Sequence, residues 1–225
     1  MRDPETQTFL FADLAGFTAL TEAHGDAEAA ELVEDFSRRV QEMLTDHDAE
    51  QVKEIGDAVM LRVRAADQAI RLGLRVVHDV GRRHEFPAVR VGMHTGPAVE
   101  RRGDWFGTTV NLAARVAGAA SGCEVLLTAT TKQAAGPLPG VAFRDRGEER
   151  FKNITAAVRI YGAQPESPLA SGEWPIDPVC RMAVDPARSA GTLIHRGVEY
   201  RFCSLECAGR FAREPEQFAT GLQGG

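Results

Sequence analysis

Two aspartates and three cysteines are the residues of this chain whose placement most invites chemistry. Asp13 ends a nearly continuous apolar run, 8–12, and Asp57 follows Gly56 between the segment 52–55, bounded by Val52 and Ile55, and the alternation of Val59, Leu61 and Val63. The first run reads as a buried strand and the second pair as a hairpin turning at Gly56-Asp57. If the first strand lies antiparallel to the second hairpin strand, both carboxylates reach one sheet edge. Carboxylates that close repel one another, and hard divalent cations with oxygen ligands offset the charge. Paired ions of that kind activate an attacking oxygen and stabilise a leaving one in phosphoryl chemistry. Gly16-Phe17-Thr18 starts a helix just after Asp13, so its N–H groups would face a phosphate chain. From position alone, two unrelated acids at solvated strand ends remain the alternative.

The cysteines form a second constellation. Cys123 stands apart, whereas Cys180, Cys203 and Cys207 crowd the last fifth of the chain. Cys203 and Cys207 are four residues apart, so one helical turn puts both thiols on one side, and Cys180 can fold back to join them. Three thiolates favour Zn²⁺ or Cu⁺, with Met182 or His195 as a fourth ligand. Three reduced core cysteines are the alternative.

The elements that must position these groups follow from the pattern. Behind the first strand, Leu32, Phe36, Val40 and Met43 fall at helical spacing after a capping Asp26. The hairpin comes next, then a helix marked by Ala66, Ile70, Leu74 and Val77, and then a strand from Val89 that ends before Gly96-Pro97. This order predicts an α+β fold, a ferredoxin-like antiparallel sheet with both helices on one face. A helix over 108–117 and strands near 125–127, 141–143 and 158–161 follow. A stretch rich in Pro, Ser and Gly separates them from the cysteine-bearing segment. The organisation expected is a catalytic domain over 1–164, a linker over 165–174 and a small module over 175–219, too short for a large core without a metal staple.

A net charge of -6 argues against a surface drawn to nucleic acid or an anionic membrane. No apolar run approaches a bilayer-spanning length, and 1–5 lacks the apolar core of a signal peptide, so a cytoplasmic protein without membrane or nucleic-acid partners is expected. There is no P-loop, zinc-protease motif, Rossmann fingerprint or GG[DE]EF signature.

Five segments then carry a resemblance. LFADLAGFT (10–18) and KEIGDAVM (53–60) resemble the two metal-site motifs of class III adenylate and guanylate cyclases. VRVGMHTGPAV (89–99) resembles the next strand, FGTTVNLAARV (106–116) the catalytic helix and RFKNITAAVRIYG (150–162) the final strand pair. They occur in family order over about three-quarters of the chain. DPVCRMAVD (177–185) and EYRFCSLECAGRF (199–211) resemble the YHS domain, a small module proposed to bind metal.

The resemblance implies roles. Asp13 and Asp57 would bind two Mg²⁺ or Mn²⁺ ions per site. Lys53 and Asp104 would contact the purine and favour ATP over GTP, because adenine accepts from a lysine and donates to a carboxylate. Asn111 would orient the ribose, and Arg115 would stabilise the transition state with a fixed charge. Arg90 and Lys152 would hold phosphates, with Gly16, Phe17 and Thr18 at the phosphate end. In the family the site lies between two catalytic domains, one supplying the aspartates and the other the purine contacts, Asn and Arg. A head-to-tail homodimer making cyclic AMP from ATP is therefore implied, with metal or redox regulation through the YHS module. A catalytically silent nucleotide- or metal-sensing module is the competing class. Two departures stand out: a short 96–107 stretch where relatives carry a longer arm, and Asn153-Ile154 in place of glycine and lysine after Lys152.

Overall fold

A computed structural model describes residues 6–81, 83, 86–167 and 174–219. The N-terminal residues 1–5 and positions 168–173 of the expected linker lie outside the described residues. The elements run β1 (Thr6–Leu14), α1 (Phe17–His24), α2 (Asp26–Leu44), β2 (Ala49–Ile55), β3 (Ala58–Val63), α3 (Ala66–Asp79), β4 (Val89–Pro97), β5 (Val99–Arg101), β6 (Asp104–Phe106), α4 (Thr108–Ala119), β7 (Val125–Thr128), α5 (Ala129–Ala135), β8 (Val141–Glu149) and β9 (Val158–Pro165). The C-terminal module adds β10 (Gly191–His195), β11 (Val198–Phe202), α6 (Leu205–Arg213) and α7 (Pro215–Ala219).

Seven strands form one sheet in the order β2-β3-β1-β4-β7-β9-β8. It is α+β as expected but not wholly antiparallel: β7 runs parallel to β4, with Val91 beside Val125. The crossover through α4 returns the chain in the same direction, which makes this pair parallel. β4 also continues through Gly96 to Pro97, where β1 still pairs with it, instead of stopping earlier.

Strand alternation assigns β1's side chains to two cores. Leu10, Ala12 and Leu14 pack with residues of α2 and α3, including Phe36, Val40, Ile70 and Val76. Phe9 and Phe11 face the other way, onto Val110, Ala113 and Ala117 of α4. The sheet therefore carries α2 and α3 on one face and α4 on the other. Gly92 makes the α4 contact possible, since a Cβ there would lie 1.9 Å from the Ala117 nitrogen.

The C-terminal module is docked on the first domain. Pro87 bridges Met182, the Ala88 N–H donates to the Arg181 carbonyl, and the Ala183 N–H donates to the Phe86 carbonyl. Leu20 of α1 and Ala29 of α2 share one apolar cluster with Val179, Phe202, Cys207 and Phe211. Burying a side chain such as Leu20 is worth about 1.5–3 kcal/mol. Among the described residues, no helix is long and apolar enough to cross a membrane.

Candidate active site

Asp13 and Asp57 meet as the alternation of β1 and the hairpin requires. Asp13 pairs with Ala58 across β1–β3, which sets Asp57, in the turn, beside the end of β1. On its other side Asp13 pairs with Arg90 of β4. Arg90 Nε donates to Asp13 Oδ2 at 2.7 Å, and its terminal nitrogen reaches the same oxygen. Burial pushes the Asp57 carboxyl up to about 6, and the neighbouring Asp13 charge adds to the shift. Two acids in electrostatic contact with one counter-charge are a donor set of hard oxygens with charge to spare. That fits a divalent cation.

By β1 parity, Asp13 points to the face of Phe9 and Phe11, the face that α4 covers. Just beyond it, Gly16 takes φ 77 and precedes α1, whose first turn has no side-chain cap. Gly16 and Thr18 are exposed and Phe17 is half-buried. Uncapped N–H groups with the positive end of the helix dipole suit phosphate oxygens. Cγ of Arg181, from the C-terminal module, lies over Gly16 so closely that a Cβ there would come within 2.5 Å of it.

Lys53 and Asp104, 51 residues apart in the chain, form an ion pair: Lys53 Nζ donates to both Asp104 oxygens at 2.7 and 2.8 Å. β2 carries the lysine and the β5–β6 hairpin carries the aspartate, at the start of β6. The hydrogen bond from Lys53 holds the Asp104 carboxyl below its usual range. The short 96–107 stretch therefore still places Asp104 opposite Lys53. His94, inside β4, donates to or accepts from Thr128 at 2.7 Å, and burial lowers its pKa to about 4, so it stays neutral.

Asn111 and Arg115 lie on the exposed stripe of α4, one turn apart, opposite the buried Val110, Leu112, Ala113 and Val116. Neither side chain makes a hydrogen bond or ion pair among the described residues. Lys152 is exposed in the β8–β9 connection. The registers put that connection at the opposite end of the sheet from Asp13: Arg90 and Val91 start β4 beside Val125, which pairs with Ala163 at the far end of β9. One chain thus brings Asp13, Asp57 and Arg90 together, and separately Lys53 and Asp104. It does not bring Lys152 to the carboxylates.

The three C-terminal cysteines do converge. Cys180 Sγ is 3.4 Å from Cys203 Sγ, which is 3.8 Å from Cys207 Sγ. Hydrogen bonds from Cys180 and then Cys203 hold the Cys207 thiol far below its usual range. Cys180 is pushed up by its bonds to Cys203 and Cys207, and then by burial. Neither residue expected as a fourth ligand joins them. His195 stands against Glu216 at 3.3 Å and edge-on to Phe211, and Met182 sits in the apolar cluster and bridges Pro87. Instead His24, at the end of α1, brings Nε2 to 3.7 Å from Cys203 Sγ, and the donor atoms of His24, Cys180, Cys203 and Cys207 all lie within 4.8 Å of one another. No local spacing pointed to His24, which is 179 residues from Cys203.

Residues 1–161 match the family model of the adenylate and guanylate cyclase catalytic domain, and residues 176–221 match that of the YHS domain. A pH-sensitive adenylate cyclase of Mycobacterium tuberculosis is 36% identical over 160 residues, 68% of this chain and 39% of the relative. An adenylate cyclase of Streptomyces griseus is 39% identical over 117 residues, 52% of this chain and 29% of the relative. The chain thus spans well under half the length of these curated relatives. The crystal structure of an adenylyl cyclase from P. aeruginosa superposes with a TM-score of 0.61 at 21% identity, over 72% of this chain and 95% of that one, a likeness of fold.

Proposed function

The chain belongs to the adenylate and guanylate cyclase catalytic-domain family and carries a YHS domain behind that catalytic domain, and on that premise we propose that it is an adenylate cyclase. It converts ATP to cyclic AMP and pyrophosphate in the cytoplasm, at two equivalent sites shared between the chains of a homodimer. The catalytic domain spans 1–164, the linker 165–174 and the YHS domain 175–219. The observation that carries the reading is the electrostatic contact of Asp13 with Asp57 at the sheet edge, where burial and like charge raise one carboxyl.

Asp13 and Asp57 would hold two Mg²⁺ or Mn²⁺ ions. Such ions, when bound, supply positive charge at the ribose hydroxyl and the phosphates. The chain's own residues do the positioning. The N-terminus of α1 at Gly16, Phe17 and Thr18 receives the phosphate chain, and Arg90 turns from Asp13 toward phosphate oxygen. Lys53 of the partner subunit donates to the adenine ring nitrogen while Asp104 of the partner subunit accepts from the exocyclic amino group, so adenine enters between two groups already aimed at each other. Asn111 and Arg115 of the partner subunit meet the ribose and the developing charge, and Lys152 of the partner subunit meets the phosphates. The ribose 3′-hydroxyl gives its proton to water as its oxygen attacks the α-phosphorus in line, the bond from that phosphorus to the β-phosphate bridging oxygen breaks, and pyrophosphate leaves. Holding ATP in that folded geometry accounts for much of the rate.

The test is direct. Purified protein incubated with Mn²⁺ and ATP, and in parallel with GTP, should form cyclic AMP in preference to cyclic GMP. Asp13→Ala or Asp57→Ala should lower turnover by about a thousandfold or more. Nucleotide bound without any cyclic product would favour a silent sensing module instead.

A further inference from the structure

His24 closes α1 in the catalytic domain, yet its imidazole faces the cysteines of the YHS domain. Three separations among the four donors, 3.4, 3.7 and 3.8 Å, approach the edges of one small tetrahedron. With Zn–S near 2.3 Å and Zn–N near 2.0–2.1 Å, a tetrahedral site has edges of about 3.5–3.8 Å. The imidazole is already oriented for a ligand. Its Nδ1 stands 3.2 Å from Glu28 Oε1, one turn along on α2, which directs the Nε2 lone pair to the cysteines.

The groups behind the thiols are equally ordered. The fully buried Asp177 carboxylate accepts from the Val179 N–H at 2.8 Å and from the Cys203 N–H at 2.9 Å. It ties the loop of Cys180 to that of Cys203. Ser204 caps α6 and accepts from the Cys207 N–H at 3.1 Å. Three thiolates and one imidazole in tetrahedral array suit Zn²⁺.

We propose that His24 is the fourth ligand of a Cys₃His zinc site completed by Cys180, Cys203 and Cys207, so that the ion joins the YHS domain to the helix that follows Asp13. The proposal rests on the reading that the three cysteines bind metal. Its functional consequence follows from where α1 sits. The helix has only eight residues, with the candidate phosphate cradle at one end and His24 at the other. The YHS domain also touches that cradle directly. Arg181 covers Gly16, the Arg181 carbonyl accepts from Ala88, and the Ala88 carbonyl accepts from Ala15 at 2.7 Å. The YHS domain therefore holds α1 at both ends, and loss of zinc frees the C-terminal one.

The full chain, kept reduced, is titrated with Zn²⁺ against a chelator and with Co²⁺ as a spectroscopic probe. The wild type should take one ion per chain and show the visible bands of tetrahedral cobalt with thiolate charge transfer. His24→Ala should weaken Zn²⁺ binding by more than about a hundredfold, beyond the range for residues behind the ligands. His24→Cys should restore binding to within about tenfold and strengthen the thiolate charge-transfer band, a result that a misfolded variant would not give. Zn²⁺ should slow amide exchange across 17–24 by at least about tenfold in the wild type and leave it unchanged in His24→Ala. Wild-type affinity and spectrum in His24→Ala would overturn the His24 assignment while leaving the cysteine site intact. A wild type that binds no ion, or a Cys203→Ser chain that binds as well as wild type, would overturn the cysteine reading and the proposal with it. Exchange in α1 that ignores zinc would overturn the coupling.

Discussion

At Asp57, burial and the Asp13 charge act in the same direction, and the raised carboxyl has a consequence for stability. A raised acid binds its proton more tightly in the folded chain than in the unfolded one. The resulting stabilisation is complete below the ordinary value of 3.8 and is lost as pH rises through about 6. Asp57→Asn cannot ionise. Its Tm should match the wild type near pH 4 and exceed it above pH 6, by about 2–4 °C for each kcal/mol of repulsion relieved. Mn²⁺ should remove the difference at high pH by neutralising the wild-type pair, and thermal scans at both pH values check each point. The Lys53–Asp104 pair makes a separate prediction. Asp104→Ala removes the proposed acceptor for the adenine amino group, so the proposed preference for ATP over GTP in kcat/KM should fall at least about tenfold. The meeting of Asp13 and Asp57 was legible in the sequence because strand parity and a hairpin turn place both acids, whereas Lys53 and Asp104 were singled out only by the resemblance to the cyclases. His24 was not legible, because only the docking of a distant module gives it partners.

Among the elements, α4 depends most on one position. It crosses β4 at Gly92 so closely that any side chain meets the Ala117 backbone. Gly92→Ala should force helix and strand apart, cost about 1–3 kcal/mol, and shift Asn111 and Arg115 with the helix. Denaturant unfolding would register the first effect and a loss of turnover larger than the loss of stability would register the second. The alternation of β1 and the hairpin turn at Gly56-Asp57 correctly foretold the β1–β3 pairing, because strand parity and turn chemistry are local. The parallel β4–β7 pair and the β5–β6 hairpin were not legible in that way. The first depends on a crossover, and the second consists of two three-residue strands.

For the whole molecule, one chain keeps the residues of the proposed site in separate places. The carboxylate pair gathers at the start of β4, Lys152 lies at the other end of the sheet, and Asn111 with Arg115 stands exposed on α4. In the proposed function a second copy, related head to tail, completes the arrangement, and a twofold axis then completes it twice. Docking of the YHS domain on α1 and the 86–88 segment leaves the exposed stripe of α4 open for that copy. The measurement that tests this most directly mixes Asp57→Ala chains with Asn111→Ala chains, each inactive alone, and assays cyclic AMP after heterodimers have been isolated or counted. Random pairing makes half the dimers mixed, each with one intact site, so about a quarter of wild-type activity should return. Verified heterodimers that remain as inactive as either parent would contradict the shared site.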